Sequence, residues 1–243
     1  MDGFVDIHTH ILPGVDDGAP DIPEALRLLR MAYQTGTREI ILTPHFHGRF
    51  KKYTPEQLQT VFSELMQAVK RELPQMKLYL GSEAYYEWEL PELLAEKSVL
   101  TINNSRYCLL EFSPGVLRSQ VVTGVSEIVR YGFIPIIAHV ERYDVFRKAH
   151  NLLDEVVDMG ALIQINADSV LGKHGFRIKW FCDSILKAEK VHFVATDAHD
   201  EKNRPPILRE CFLRINKKFG PEYAQQLFWF NPRALLDDVF PEA

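Results

Sequence analysis

The sequence predicts an α/β fold whose parallel strands close into a TIM-barrel-like (β/α) barrel, and three observations predict it. Apolar strand-like runs alternate with amphipathic helical stretches along the whole chain. The runs are hydrophobic without interruption, as parallel strands covered by helices require. Metal-capable side chains close most of the runs, and a barrel brings all its strand ends to one rim, whereas an open sheet holds its outer strands too far apart.

Seven runs carry the strand signal: "GFVDIH", "REIILTPH", "MKLYLGSE", "RYCLLEF", "GFIPIIAH", "GALIQIN" and "KVHFVATD", each bounded by turn residues or a polar cluster. Between the first two lies "DIPEALRLLRMAYQTG", where Ala25, Leu28, Leu29 and Ala32 share a face. Asp21 and Glu24 have capping-box spacing, and Gly36 is the stop. In "TPEQLQTVFSELMQAVKREL", Thr54 caps, Pro55 suits the first helical position, and Leu58, Val61, Phe62 and Leu65 line one face. Further helices are expected in "QVVTGVSEIVRYG", "NLLDEVVDMG", "FRIKWFCDSILKAE", "PPILRECFLRINKKFG" and the tail after Asn231-Pro232. No repeat or linker divides the 243 residues, so a single domain over 1–243 is expected.

Composition narrows the function classes. A 46% hydrophobic and 25% charged chain is an ordinary globular protein rather than a disordered or fibrous one. Its net charge of -5 argues against duplex nucleic acid as the main partner. Neither a leader nor a run of membrane-span length stands out, so a cytoplasmic protein is expected. Cys108, Cys182 and Cys211 fall in no paired metal or redox spacing and read as buried apolar residues. None is followed by an Arg at the spacing a cysteine-nucleophile phosphatase needs.

The chemistry gathers at the strand ends. His8, His10, His45, Glu83, Glu111, His139, Asp197 and His199 all stand at or just past the C-terminal end of a run. Because side chains alternate along a strand, "HTH" sends both imidazoles to one side and Thr9 to the other. The "VDDG" turn returns a carboxylate toward them from Asp16 or Asp17. A lone histidine pair would mean little, but unpaired polar groups buried at so many strand ends would be costly, which points to metal. Imidazole and carboxylate without thiolate suit zinc, manganese or iron. There are more donors than one ion can use, as in hydrolases whose clustered ions activate water and stabilise in-line displacement at phosphorus.

Through "DIHTHILPGVDDG", "TPHF", "GSEAYY", "LLEFS", "IIAHVERY" and "ATDAHDEKNRPP" the chain resembles the polymerase and histidinol phosphatase (PHP) family. Within it, the chain is similar to the manganese-dependent bacterial protein-tyrosine phosphatases of capsule and exopolysaccharide loci, the CpsB/YwqE type. The motifs run from the first strand to the last. The resemblance implies a distorted (β/α)₇ barrel with three divalent metal ions, Mn²⁺ expected and Fe or Zn as alternatives. It assigns His8, His10, Glu83 and Asp197 to one ion, with Glu83 bridging to a second held by Glu111 and His139. Asp17, His45 and His199 complete the third, with Asp16 as the alternative to Asp17. Arg142 and Arg204 are the expected phosphate clamps, since phosphate needs fixed two-pronged donors. Asn203 stands where the family often has Gly. The implied partner is a tyrosine-phosphorylated protein, a bacterial tyrosine autokinase with a tyrosine-rich tail.

Rival readings are a small-molecule phosphatase acting on histidinol phosphate or a similar ester, an amidohydrolase cleaving C–N bonds, and a non-catalytic metal-binding module. His47, His150, His174 and His192 match no motif of the family and read as solvated or packing residues, His47 alone lying close to the rim. Phe46, Phe50, Tyr53, Tyr85, Tyr86 and Trp88 form either an aromatic mouth for a phosphotyrosine ring or a cover for the barrel top. Lys51 and Lys52 read as a solvated loop.

Overall fold

Two of the seven expected strands are each broken once, and the break places a site residue at the head of each second half. The computed structural model describes residues 3–47, 53–149 and 151–238; Phe50, Lys51, Lys52 and His150 lie outside them. β1 (Phe4–Thr9) is followed by β2 (Thr37–Leu42), which stops at Thr43-Pro44 and resumes as β3 (His45–Phe46). A proline has no N–H to give to a ladder. β4 (Lys77–Leu80) likewise stops at Gly81-Ser82 and resumes as β5 (Glu83–Tyr85). The broken strands stay side by side, because Gly81 N donates to Leu42 O at 2.9 Å and Glu83 N to Pro44 O at 3.0 Å. β6 (Tyr107–Glu111), β7 (Ile134–Ile137), β8 (Leu162–Asn166) and β9 (Phe193–Ala195) follow.

All pairings are parallel, in the orders β1-β2-β4 and β3-β5-β6-β7-β8-β9. The ring closes where β9 meets β1. Thr9 bridges Ala198, Asp197 N donates to His8 O at 2.9 Å, and His10 N donates to Ala198 O at 2.8 Å. Beneath that seam the buried Asp6 carboxylate accepts from Thr196 N at 3.1 Å and Thr196 Oγ1 at 2.5 Å. The result is the expected distorted (β/α)₇ barrel, its staves parallel and its ligand-bearing ends on one rim.

The expected crossover helices cover it. α1 (Ile22–Gln34) starts at Asp21, whose side chain accepts from Glu24 N at 2.8 Å. Only that half of the capping box is used, because Glu24 instead pairs with Arg27. Gly36 takes the left-handed backbone (φ +103°) of a stop. α2 (Pro55–Glu72) has the complete box, Thr54 with Gln57. Next come α3 (Leu90–Ala95), α4 (Arg118–Arg130), α5 (Asp144–Lys148), α6 (Asn151–Asp158), α7 (Ala167–Leu171) and α8 (Phe176–Lys187). α9 (Arg209–Phe219), α10 (Pro221–Gln225) and α11 (Asn231–Leu236) end the described chain. α9 begins four residues later than the sequence suggests, since Pro205 and Pro206 hold the backbone before them away from the helical region. α3, α5, α7 and α10 are too short to show a helical period. No helix of the described residues is long and apolar enough to cross a membrane.

Strand side chains such as Val5, Ile7, Tyr107, Leu109, Ile136 and Phe193 form one apolar cluster, and two others lie under the helices. All three cysteines are buried and free, as expected. At the foot of β9, His192 Nδ1 accepts from Ile163 N at 3.0 Å, and burial pushes this imidazole down to about 4. The unfolded chain therefore takes up the proton first, so this contribution to stability is present above the ordinary pKa of about 6.5 and is lost as pH falls toward 4. Asn can accept the same bond without titrating. Urea unfolding at pH 7 and pH 5 is expected to show the parent losing about 2 kcal/mol more than His192→Asn; equal losses would show that His192 does not couple to folding.

Candidate metal centre

Every expected ligand reaches one place. His8 ends inside β1 and His10 lies just past it, His45 and Glu83 head β3 and β5, and Glu111 ends β6. His139 and Asp197 each follow their strand by two residues, and both take left-handed backbone, φ 34° and 54°. That conformation is uncommon for non-glycine residues and costs on the order of 1 kcal/mol or more, a strain typical of functional positions.

Glu83 occupies the middle. It is fully buried. Its Oε1 lies 3.3 Å from His8 Nε2 and 2.8 Å from His139 Nε2, and its Oε2 lies 3.3 Å from His10 Nε2 and 2.9 Å from His45 Nδ1. Asp197 Oδ1 stands 3.6, 3.4 and 3.5 Å from nitrogens of His8, His10 and His199. Asp17 Oδ1 faces His45 Nε2 at 3.5 Å and His199 Nε2 at 3.4 Å. Glu111 lies 3.9 Å from His139 Nε2 and 3.8 Å from His45 Nδ1.

Among the described residues, four sets of donor atoms are close enough together to hold an ion: His8, His10 and Asp197; His8, Glu83 and His139; His10, Asp17, His45 and His199; and His45, His47 and Glu111. The last set brings in His47, which the sequence reading had placed among solvated or packing residues. Of the "VDDG" pair, Asp17 faces the cluster. Asp16 instead accepts from Gly18 N at 3.0 Å and His45 N at 3.1 Å and pairs with His10 Nδ1 at 2.7 Å, leaving His10 Nε2 toward the cluster.

The buried carboxylates draw positive charge into the cluster, supplied in the metal-free protein by protons on His8 and His10 that a bound cation would displace. Against burial, which lowers it, His8 is raised by Glu83 and Asp197, and His10 is raised well above its ordinary range by Asp16 and the cluster carboxylates. Glu83 and Asp197 lie well below the usual carboxylate range despite burial, His8 being the leading charge on each. Burial, with the Glu83 charge adding to it, pushes Glu111 up to about 8. A carboxylate so placed needs a cation to stay ionised. Burial and then Arg142 push His139 down to about 4, so its imidazole is neutral, as a ligand must be. Glu83 Oε2, Glu111 Oε2 and His199 Nε2 are buried without a hydrogen-bond partner among the described residues. Orphaned acceptors of this kind beside imidazoles are what divalent ions satisfy.

Both expected clamps converge here. Arg142 Nη2 lies 2.7 Å from Asp197 Oδ2, and Arg204 Nη1 lies 3.7 Å from Asp197 Oδ1. Asn203, in place of the family's frequent Gly, donates its N–H to Asp200 Oδ1 at 2.6 Å, and His199 N donates to Arg204 O at 3.0 Å, so the loop is braced without glycine.

Two amides escaped the sequence reading. Gln164 Oε1 accepts from His139 N at 2.9 Å and stands 3.2 Å from His8 Nδ1, while Gln164 Nε2 donates to Asn166 Oδ1 at 2.8 Å. Asn166 Nδ2 then donates to Asp197 Oδ2 at 3.0 Å. The signal was the "QIN" run, whose amides share a face two residues apart as the HTH imidazoles do. Buried Glu141, also missed, accepts from Asn166 N at 3.0 Å. The aromatics divide: Tyr86 and Phe46 pack on the core, Tyr53 donates to Gly14 O at 3.0 Å, Tyr85 lies against His47, and Trp88 is exposed.

A family model for capsular polysaccharide synthesis, CpsB/CapC, matches residues 4–237. The chain belongs to the CpsB/CapC family. Tyrosine-protein phosphatase CpsB of Streptococcus pneumoniae is 34% identical over 240 residues, 97% of this chain and 99% of that one. Tyrosine-protein phosphatase YwqE of Bacillus subtilis is 33% identical over 225 residues, 92% and 88% of the two chains. A crystal structure from work on YwqE and CpsB, described as unique metal-dependent tyrosine phosphatases, matches with a TM-score of 0.91 at 32% identity, over 97% of this chain and 95% of that one. Histidinol phosphate phosphatase of Lactococcus lactis, at 13% identity and a TM-score of 0.57 over 98% and 94% of the chains, shares the fold.

In this CpsB/CapC member Gln164 ties His8 to His139, so Gln164→Leu is expected to weaken divalent-ion binding roughly 10- to 100-fold with the fold intact. Calorimetric titration with Mn²⁺ reads it, and an unchanged affinity would show that other contacts orient these ligands.

Proposed function

We propose that this chain is a metal-dependent protein-tyrosine phosphatase acting in the cytoplasm on a bacterial tyrosine autokinase that controls capsule or exopolysaccharide synthesis. The observation that carries the reading is the meeting of two guanidiniums, Arg142 and Arg204, on Asp197 at the edge of the buried imidazole and carboxylate cluster. The relatives' names supply the substrate class.

Three divalent ions, Mn²⁺ before Fe or Zn, would be held by His8, His10, Glu83 and Asp197, by Glu83, Glu111 and His139, and by Asp17, His45 and His199. Bound there, they supply a water acidic enough to attack phosphorus at neutral pH, and positive charge against the phosphoryl oxygens. The protein does the rest. Asp197 holds Arg142 directly and draws Arg204 close, which would leave the other N–H groups of each planar fork to meet the equatorial oxygens as charge builds on them. Asn166 and Gln164 keep the Asp197 carboxylate and the His8 ring in register with that clamp. The leaving phenol, with an ordinary pKa of about 10, departs more readily than an alcohol would.

The thiols offer no competing route. Burial pushes Cys108 up to about 12, and Cys182 and Cys211 are raised further by the same cause.

Arg142→Ala and Arg204→Ala are each expected to keep their metal content while kcat/KM on an aryl phosphate and a phosphotyrosyl peptide falls by roughly 2 to 4 kcal/mol of transition-state stabilisation. Lysine restores attraction without the fork and should rescue only in part. Chelation should abolish turnover, and added Mn²⁺ restore it. Alanine variants that match the parent on both substrates, or full turnover in verified metal-free protein, would overturn the reading.

A further inference from the structure

Against the Val140–Arg142 turn lies a second cationic and aromatic feature. Phe176 and Trp180, four residues apart and so on one face of α8, are 79% and 57% exposed. With Arg177 and Phe181 of that helix and Arg147 of α5 they line a groove of about 400 Å³. The stretch 173–180, "KHGFRIKW", holds Lys173, Arg177 and Lys179 and no carboxylate, in a chain of net charge -5. Arg177 is exposed and forms no ion pair among the described residues.

Position gives this patch meaning. α5 starts two residues past Arg142, and α8 packs on the Val140–Arg142 turn. Arg147 Nη1 donates to Glu141 O at 2.6 Å, so the groove lies against the backbone that carries one proposed clamp. Arg147 also pairs with Asp144, so the guanidinium left for an anion is Arg177; a fork beside the exposed faces of Phe176 and Trp180 suits an aromatic ring that bears an anion, the ring stacking and Arg177 taking the charge. Of the three cations in that run only Arg177 lines the groove, too little charge for nucleic acid. A flat patch would suit a lipid surface, but this one is concave and lies against the backbone of the Val140–Arg142 turn.

We propose that the groove between α5 and α8 binds a second phosphotyrosyl side chain of the substrate chain whose first is being hydrolysed. This rests on the phosphatase reading. Tethering through the first site raises the local concentration of the second residue, so a weak groove can shift selection without changing chemistry.

The experiment compares the metal-loaded parent with the double variant Arg177→Glu/Trp180→Ala, both positions being exposed, and with Trp180→Phe. Substrates are p-nitrophenyl phosphate and singly and doubly tyrosine-phosphorylated forms of one peptide. A doubly substituted phosphonate analogue of that peptide reads binding by fluorescence anisotropy without turnover. The parent is expected to prefer the doubly phosphorylated peptide by about tenfold or more in KM. The double variant should lose that preference in KM and in phosphonate affinity, with kcat and p-nitrophenyl phosphate kinetics unchanged; Trp180→Phe should retain it. Equal preference in parent and double variant, no preference in the parent, or a loss confined to sedimentation with phosphatidylserine vesicles would overturn the groove. A parent inert toward p-nitrophenyl phosphate would overturn the phosphatase reading instead, and phosphonate binding would still decide the groove.

Discussion

A fully buried carboxylate surrounded by imidazoles, Glu83, is the constraint on which the rest of this structure depends. Taking an ionised group out of water costs several kcal/mol unless charge and hydrogen bonds replace the lost hydration. Here the replacement is four imidazole nitrogens within 3.3 Å, drawn from β1, its trailing residue, β3 and the segment after β7. No one of these elements could hold the carboxylate alone. The same closeness sets Glu83 and Glu111 against each other, so Glu111 keeps a proton at neutral pH unless a cation takes its place between them.

The barrel is deformed where that centre needs it. Pro44 and the Gly81-Ser82 step interrupt two strands, and His45 and Glu83 follow the interruptions directly. The left-handed backbones of His139 and Asp197 turn two further strand ends inward to the cluster at a local cost in strain. The Asp6–Thr196 bonds at the β1–β9 seam hold the HTH strand against the strand that delivers Asp197. Fold and site thus share their closing contacts, so the seam matters for chemistry as well as for stability.

Much of this was legible in the sequence because it is periodic or positional. Seven apolar runs and the polar residues at their ends indicated a barrel and its rim, and the caps at Asp21 and Thr54 marked two helices. The strand breaks were less legible, since a proline inside "REIILTPH" and a glycine inside "MKLYLGSE" read as strand ends rather than as mid-strand steps. The short helices α3, α5, α7 and α10 carry too little period to see. The choice between Asp16 and Asp17 depended on which carboxylate the turn presents to His10 Nδ1, a matter of three-dimensional reach. Gln164 and Asn166 went unread for a chemical reason: amides are weak metal ligands, and these two instead hold the His8 ring and the Asp197 carboxylate in place.

The groove at α5 and α8 was hidden by its ordinary composition, as "FRIKWFCDSILKAE" is an acceptable amphipathic helix. Only the packing shows that Phe176 and Trp180 stay exposed while Phe181 and Cys182 of the same helix are buried. Glu83 is the proposed bridge between ions, and elemental analysis of dialysed Glu83→Gln tests that most directly. The account predicts a folded protein with fewer bound metal ions than the parent and turnover lower by roughly 100-fold or more; parent-level metal content together with parent-level turnover would contradict it.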